Sequence, residues 1–251
     1  MIVRGFDSSY QAVIVTGNDV FDEKIITEFK KIKHLDSLFQ GINTLRDPLV
    51  LMPEKLRPLF GREKIEFKAK DYRLRLSPQA FFQLNHEQAQ RIYEDVSKLI
   101  KDKKKLIIEA YCGIGAISLY LHDKAEKLLG IEIVEKAVKD AKENAKLNHF
   151  ENIDFICEDA AKEVRKIVKK QKVDLLIADP PRTGLDDALI TTILKSDIRQ
   201  IIYISCNPAT LAKNLDVLLT KYEIRFIQGY DMFPNTPHVE TVCLMSRVEG
   251  K

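Results

Sequence analysis

The sequence predicts an α/β protein: a doubly wound, mostly parallel sheet closed by an antiparallel C-terminal hairpin and preceded by a small α+β domain. Three observations carry this expectation. From about residue 104 onward, short apolar runs alternate with helical stretches, the rhythm of a parallel sheet covered by helices on both faces. The last two apolar runs have no helical stretch between them, which makes them neighbours in a hairpin. Before residue 104 strand and helix signals are mixed and do not alternate. The 251 residues (28.8 kDa) suit one large domain with a small companion. With 45% hydrophobic and 31% charged residues, the chain has material for a sizeable core, and neither a disordered nor a fibrous class fits.

In chain order, residues 11–16 alternate as a short strand and 22–33 carry a helical period. Residues 40–51 read as strand or loop ending at Pro53. Ile65, Phe67 and Ala69 alternate before Lys70-Asp71, as do Tyr72, Leu74 and Leu76 after it, so 65–76 reads as a hairpin. A helix over 86–100 leads out. These signals give a small α+β domain over 1–84, a linking helix over 85–103, and the main domain over 104–251. Within the latter, strands at 106–110, 127–131, 152–156, 173–178 and 200–204 are each followed by a helix: to about 122, then 134–147, 160–170, 185–194 and 208–219. Strands at 224–229 and 240–247 close the sheet. Ligands in such a fold gather at the C-terminal ends of the strands.

The net charge of +3, from 40 basic and 37 acidic residues, neither demands nor excludes a nucleic-acid partner. Residues 101–105 hold four lysines and 162–172 six basic residues, to be read as solvated helix faces or as phosphate contacts. The longest apolar runs fall well short of the roughly 20 residues of a membrane span. The first residues lack the basic and apolar regions of a secretory signal, so a cytoplasmic protein with no membrane partner is expected. Cys112, Cys157, Cys206 and Cys243 form no C-x-x-C pair, which argues against a zinc site or disulfide framework; no metal is expected. Cys157 and Cys243, inside strands, read as core.

The first strand of the main domain ends in Glu109-Ala110-Tyr111-Cys112-Gly113-Ile114-Gly115, where Gly113 and Gly115 permit a tight turn and a close approach of backbone to ligand. Ser118 stands where the dinucleotide-binding pattern needs glycine, so a pyrophosphate is disfavoured. Glu132 ends the second strand and can accept hydrogen bonds from both hydroxyls of a ribose. Glu158-Asp159 ends the third and can contact an adenine edge. Together these suggest S-adenosylmethionine. The fourth strand runs into Asp179-Pro180-Pro181-Arg182, whose prolines stiffen the loop carrying Asp179 and Arg182. Cys206 ends the fifth, where the dipole of the following helix would favour a thiolate. A loop with two prolines presents His238 and Glu240. Upstream, Phe81 and Phe82 stand among the amides of Gln79, Gln83 and Asn85, a combination suited to stacking on a base and bonding its edge.

In this order, Phe-Phe-Gln-Leu-Asn, Cys-Gly-x-Gly, Asp-Pro-Pro-Arg-x-Gly-Leu, Ser-Cys-Asn-Pro-Ala-Thr-Leu and Asp-Met-Phe-Pro-x-Thr-x-His-Val-Glu closely resemble the RNA (uracil-5-)-methyltransferase family over about residues 75–248. Residues 1–75 resemble, less specifically, the domain that leads into its catalytic domain. The resemblance implies a Rossmann-like methyltransferase sheet, Cys206 as nucleophile and Glu240 as general base. Gln83, Tyr111, Glu132 and Asp179 match positions lining the cofactor and base pocket; Phe81, Arg182 and His238 are candidates at the base. Many members also carry an N-terminal RNA-binding barrel and a cysteine cluster holding an iron–sulfur centre. Neither is in this sequence, and no iron–sulfur cluster is expected in it. Ala116 stands where a polar residue is usual, and Lys213-Asn214 replaces the usual Arg-Asp.

Carbon 5 of uracil is a poor nucleophile until addition at carbon 6 raises its electron density. The implied chemistry is therefore addition of the Cys206 thiolate to carbon 6, methylation of the enolate at carbon 5 by S-adenosylmethionine, and removal of the carbon 5 proton by Glu240. Asp179 and Gln83 would hold the base, which must be in a loop or flipped out. The expected substrate is RNA, 23S rRNA ahead of tRNA, with no obligate protein partner. A tRNA uridine-5 enzyme, a cytosine-5 methyltransferase, an amino-group methyltransferase and a catalytically impaired RNA-binding fragment are the alternatives. No Pro-Cys follows the fourth strand, as a cytosine-5 enzyme usually needs, and Arg182 stands where an amino-group enzyme places an aromatic ring.

Overall fold

A computed structural model describes residues 1–6, 8–44, 52–69 and 71–248. Residues 45–51 of the expected strand or loop and Lys70 of the expected hairpin turn lie outside them. The backbone divides into two compact units, Met1–Ala80 and Phe81–Lys251. The sequence boundary stood four residues later, and the helix read as a linker packs within the second unit.

In the first unit, β1 (Ile2–Phe6), β2 (Ser9–Thr16), β3 (Leu35–Ile42) and β4 (Leu56–Gly61) form one sheet in that order, with α1 (Glu23–Lys30) connecting the parallel pair β2 and β3. β1 and β4 were not foreseen. Both are edge strands, and Pro58 within β4 is tolerated because an edge leaves one row of backbone groups unpaired. β5 (Ile65–Lys68) and β6 (Arg73–Leu76) pair antiparallel as expected, burying Ile65, Phe67, Leu74 and Leu76.

The second unit opens with α2 (His86–Leu99), capped by the Asn85 side chain, which accepts from the Gln88 N–H at 3.1 Å. Asn85 also donates to the Met232 carbonyl, and the Tyr230 hydroxyl bonds Asp95 at 2.9 Å. These bonds tie the helix to the closing hairpin. The elements that follow are β7 (Lys104–Ala110), α3 (Ala116–Tyr120), β8 (Ala125–Glu132), α4 (Glu135–Leu147), β9 (Ile153–Cys157), α5 (Ala160–Val168), β10 (Leu175–Ala178), α6 (Asp187–Lys195), β11 (Gln200–Ser205), α7 (Pro208–Leu218), β12 (Tyr222–Asp231) and β13 (Val239–Arg247). The seven strands lie in the order β12-β13-β11-β10-β7-β8-β9, with β7 to β11 parallel and β13 antiparallel to both neighbours.

β10 is buried at all four positions, as a central strand covered on both faces requires. α5 buries Ala160, Ala161, Val164 and Ile167 at helical spacing and faces solvent with its lysines. The chain winds from β7 to β8 and β9 on one side, then crosses to β10 on the other, so the direction of winding reverses between β7 and β10. Ligands bind at such a reversal in open α/β sheets. No helix among the described residues is long and apolar enough to cross a membrane.

Candidate active site

Parallel register sets the strand ends level: Ala110 lies beside Ile131 of β8 and Ala178 of β10. Beyond Ala110 the backbone turns left-handed at Tyr111 (φ 64°), Gly113 (φ 53°) and Gly115 (φ 79°). A tyrosine in that region is uncommon and marks a turn held by its surroundings. The turn is closed by the Gly115 N–H on the Cys112 carbonyl at 2.8 Å, and from outside by Glu132. One Glu132 oxygen accepts from Gly113 N–H at 3.1 Å and the other from Val134 N–H at 2.9 Å. The acid read as a ribose ligand is thus also the clasp of the glycine turn.

The two glycines differ. A Cβ on Gly115 would stand 2.5 Å from Phe155 Cζ, whereas one on Gly113 would meet nothing within 4 Å. Gly113 borders a cleft whose walls include Phe82, Gln83, Tyr93, Glu109, Tyr111, Ala116 and Asp179. Phe81 also lines it and is 74% exposed, while Phe82 is 7% exposed and stacks on His86 with ring centroids 5.1 Å apart. Of the two aromatics read together as a base platform, Phe82 is core and Phe81 alone presents its ring. Asp159 does not line this cleft. It caps α5, accepting from the Lys162 N–H at 2.9 Å, yet its charge reaches the Tyr111 hydroxyl, whose pKa is raised by burial first and then by Asp186 and Asp159.

Glu109 was missed. It is buried near the end of β7, accepts a hydrogen bond from the Ser118 hydroxyl, and its pKa is raised to about 8 by burial, with Asp179 and Glu132 adding to the effect. The signal available in the sequence was a single carboxylate inside an otherwise apolar strand.

Asp179 follows β10, and its carboxyl is likewise raised to about 8, by burial and then by Glu240. The antiparallel register of β11 and β13 explains that neighbour: Ser205 pairs with Thr241, so the next residue of each strand, Cys206 and Glu240, continues at the same level. Glu240 is buried, its Oε2 has no hydrogen-bond partner among the described residues, and burial raises its pKa while Arg182 opposes the rise. The Cys206 thiol is half-buried, and its pKa is raised by burial, Glu240 and Asp179, with Arg182 acting the other way. The thiolate expected from the dipole of α7 is opposed by burial first and then by Glu240 and Asp179, and Asn207, the residue after Cys206, caps that helix. Arg182 Nη2 stands 3.4 Å from His238 Nδ1, which joins the last two base-site candidates to this group.

One other expectation is corrected. Cys157 is exposed, at the end of edge strand β9, while Cys243 is buried as foreseen. The basic stretches do not converge on the cleft. Lys104 begins β7 and Lys172 precedes β10, at the opposite ends of these strands, and Lys162 and Lys166 pair with Glu158 and Glu163 of their own segment. This is the behaviour of a solvated face.

An uncharacterized RNA methyltransferase of Bacillus cereus is 42% identical over 230 residues, 90% of this chain and 49% of that one. One from Halalkalibacterium halodurans is 38% identical over 254 residues, 98% of this chain and 54% of that one. The chain thus spans about half the length of the curated relatives it matches. A Pyrococcus abyssi tRNA (uracil-54, C5)-methyltransferase, solved with S-adenosyl-L-homocysteine, superposes with a TM-score of 0.80 at 28% identity, covering 94% of this chain and 56% of that one. The model of the tRNA (uracil-5-)-methyltransferase family matches residues 57–248, and the chain belongs to that family.

Proposed function

We propose that this chain carries the methyl-transfer unit of an RNA uracil-5 methyltransferase acting through a covalent bond between Cys206 and carbon 6 of the target uridine. The observation that carries the reading is the meeting of Cys206 with Glu240, whose buried Oε2 has no partner among the described residues, beside Asp179, which also lines the glycine-turn cleft. The cleft suits S-adenosylmethionine: Gly113 leaves open the space a Cβ would fill, Glu132 closes the turn beside it, and Gln83, Tyr111 and Asp179 stand around it. When bound, that cofactor supplies an electrophilic methyl group.

The chain's own residues do the rest. The Cys206 thiolate forms a bond to carbon 6, and the displaced electron pair becomes an enolate that makes carbon 5 nucleophilic. Arg182 favours the thiolate against burial and the charge of Glu240. Asp179, protonated near neutral pH, can donate to a carbonyl of the base, and Gln83 can bond its edge. After carbon 5 has gained its methyl, Glu240 takes the carbon 5 proton, the pair re-forms the 5,6 double bond, and the carbon–sulfur bond breaks to return the thiolate. Phe81 offers an exposed ring for stacking, and the Met1–Ala80 unit is assigned an RNA-facing role. The reading places the enzyme in the cytoplasm with rRNA as substrate. The likeness to a tRNA enzyme at 28% identity favours tRNA as the second reading.

The test is a denaturing gel of wild type, Cys206→Ala and Glu240→Gln with labelled cofactor, rRNA or tRNA transcripts, and a 5-fluorouracil RNA. Wild type should be trapped by the fluorinated RNA. Cys206→Ala should give neither adduct nor product, and Glu240→Gln should accumulate a methylated protein–RNA adduct. Methylation by Cys206→Ala would overturn the mechanism.

A further inference from the structure

The loop that carries Arg182 has little backbone with which to hold itself. Pro180 and Pro181 lack N–H groups, and the turn is closed by Gly184 N–H on the Pro181 carbonyl at 2.8 Å. What fixes it comes from α7. Asn207 Nδ2 donates to the Arg182 carbonyl at 3.3 Å, and the Thr210 hydroxyl stands 3.1 Å from the same oxygen. Three residues further along the loop, Leu185 N–H donates to Asn214 Oδ1 at 3.0 Å, and that oxygen also accepts the Tyr203 hydroxyl at 2.8 Å. Gly184, at φ +82°, lies so close beneath the amide that a Cβ there would stand 2.6 Å from Asn214 Oδ1. Residues 207, 210 and 214 fall on one face of the helix at the spacing of successive turns.

The same helix begins directly after Cys206, so the clamp and the thiol share one rigid frame. The groups that act on that thiol are Glu240 from β13, Asp179 and Arg182 from the clamped loop, and Tyr203 from its own strand. Arg182 is the cation of this set, and its side chain is exposed. A long exposed side chain has many rotamers; besides the contact of its tip with His238 Nδ1, its backbone anchor keeps the guanidinium near the sulfur.

We propose that Asn214, supported by Tyr203 and Thr210, is a positioning residue that sets where the Arg182 guanidinium stands against Cys206. The proposal rests on Cys206 being the nucleophile, but it can be tested without methyl transfer.

The experiment is the pH dependence of iodoacetamide alkylation at Cys206, read peptide by peptide by mass spectrometry, with exposed Cys157 as the reference in the same molecule. Asn214→Ala should slow Cys206 alkylation roughly 5- to 10-fold near pH 8, as expected when a thiol pKa rises by up to about one unit, and should leave Cys157 unchanged. Arg182→Gln should do the same, and adding Asn214→Ala to it should change little more. An unchanged Cys206 profile in Asn214→Ala, or an equal further loss in the Arg182→Gln background, overturns the proposal. Thr210→Val, which removes one hydroxyl at the Arg182 carbonyl, must shift the profile in the same direction, and it decides the matter should Asn214→Ala not fold. A normal alkylation cycle together with methylation by Cys206→Ala would sink the functional reading and leave the positioning intact.

Discussion

Gly113 and Gly115 stand two residues apart in one left-handed turn, and the structure assigns them different tasks that alanine can separate. At either position a Cβ in the left-handed region costs roughly 1–2 kcal/mol. At Gly115 the new methyl also stands 2.5 Å from Phe155 Cζ and 2.8 Å from Cε1, and forcing a carbon into such a packed site adds roughly 1–3 kcal/mol. Phe155 cannot retreat easily, because its ring also lies against Gly130. Gly113→Ala should therefore destabilise by about 1–2 kcal/mol and Gly115→Ala by about 2–5 kcal/mol. In urea, with a slope near 2–3 kcal/mol per M, the Gly115 variant should unfold roughly 0.5–1 M earlier than the Gly113 variant. Calorimetric titration with S-adenosylhomocysteine should invert the order among folded protein, because the Gly113 methyl projects into the cleft while the Gly115 methyl projects into the core. Phe155→Leu should recover part of the Gly115→Ala loss and none of the Gly113→Ala loss. Equal unfolding midpoints, or unchanged affinity in Gly113→Ala, would refute the assignment of one glycine to packing and the other to the ligand.

The aromatic pair offers a parallel contrast. Phe82→Ala should cost about 3–5 kcal/mol of stability as a buried ring is lost, whereas Phe81→Ala should leave unfolding within about 0.5 kcal/mol and weaken RNA binding, as a filter-binding titration would show; an unaffected RNA affinity would return Phe81 to ordinary surface. For pH, Asp179 and Glu109 both titrate near 8 when folded, well above their ordinary values of 3.8 and 4.5, so between about pH 4 and 8 the folded state holds more protons than the unfolded one. Stability should fall as pH rises through that window, and Asp179→Asn should flatten the decline in thermal melts; the same slope in that variant would show that Asp179 is not the group responsible.

Much of this protein could be read from local pattern. Alternation of apolar runs with helical stretches identified the second unit's strands, the closing hairpin and the strand ends where a ligand gathers, because burial on both faces of a parallel sheet writes itself directly into composition. The motifs at those ends named Cys206, Glu240, Asp179 and the glycines. Edge strands β1 and β4 escaped, since an edge imposes weaker demands and even admits Pro58. The rest depended on distance through space. Cys206 and Glu240 are 34 residues apart and come level only through the register of β11 with β13, the same meeting that brings the charge of Glu240 to bear on the sulfur. Glu109 became part of the cleft wall because α3 brings Ser118 onto the end of β7, and Phe81 and Phe82 parted company because only Phe82 packs against His86 of α2. Asn214, unexplained as a letter in the sequence, acquired a task only when α7 was laid against the loop after β10. Local composition records what each segment must bury; which charges then meet at one sulfur is decided by how the segments cross.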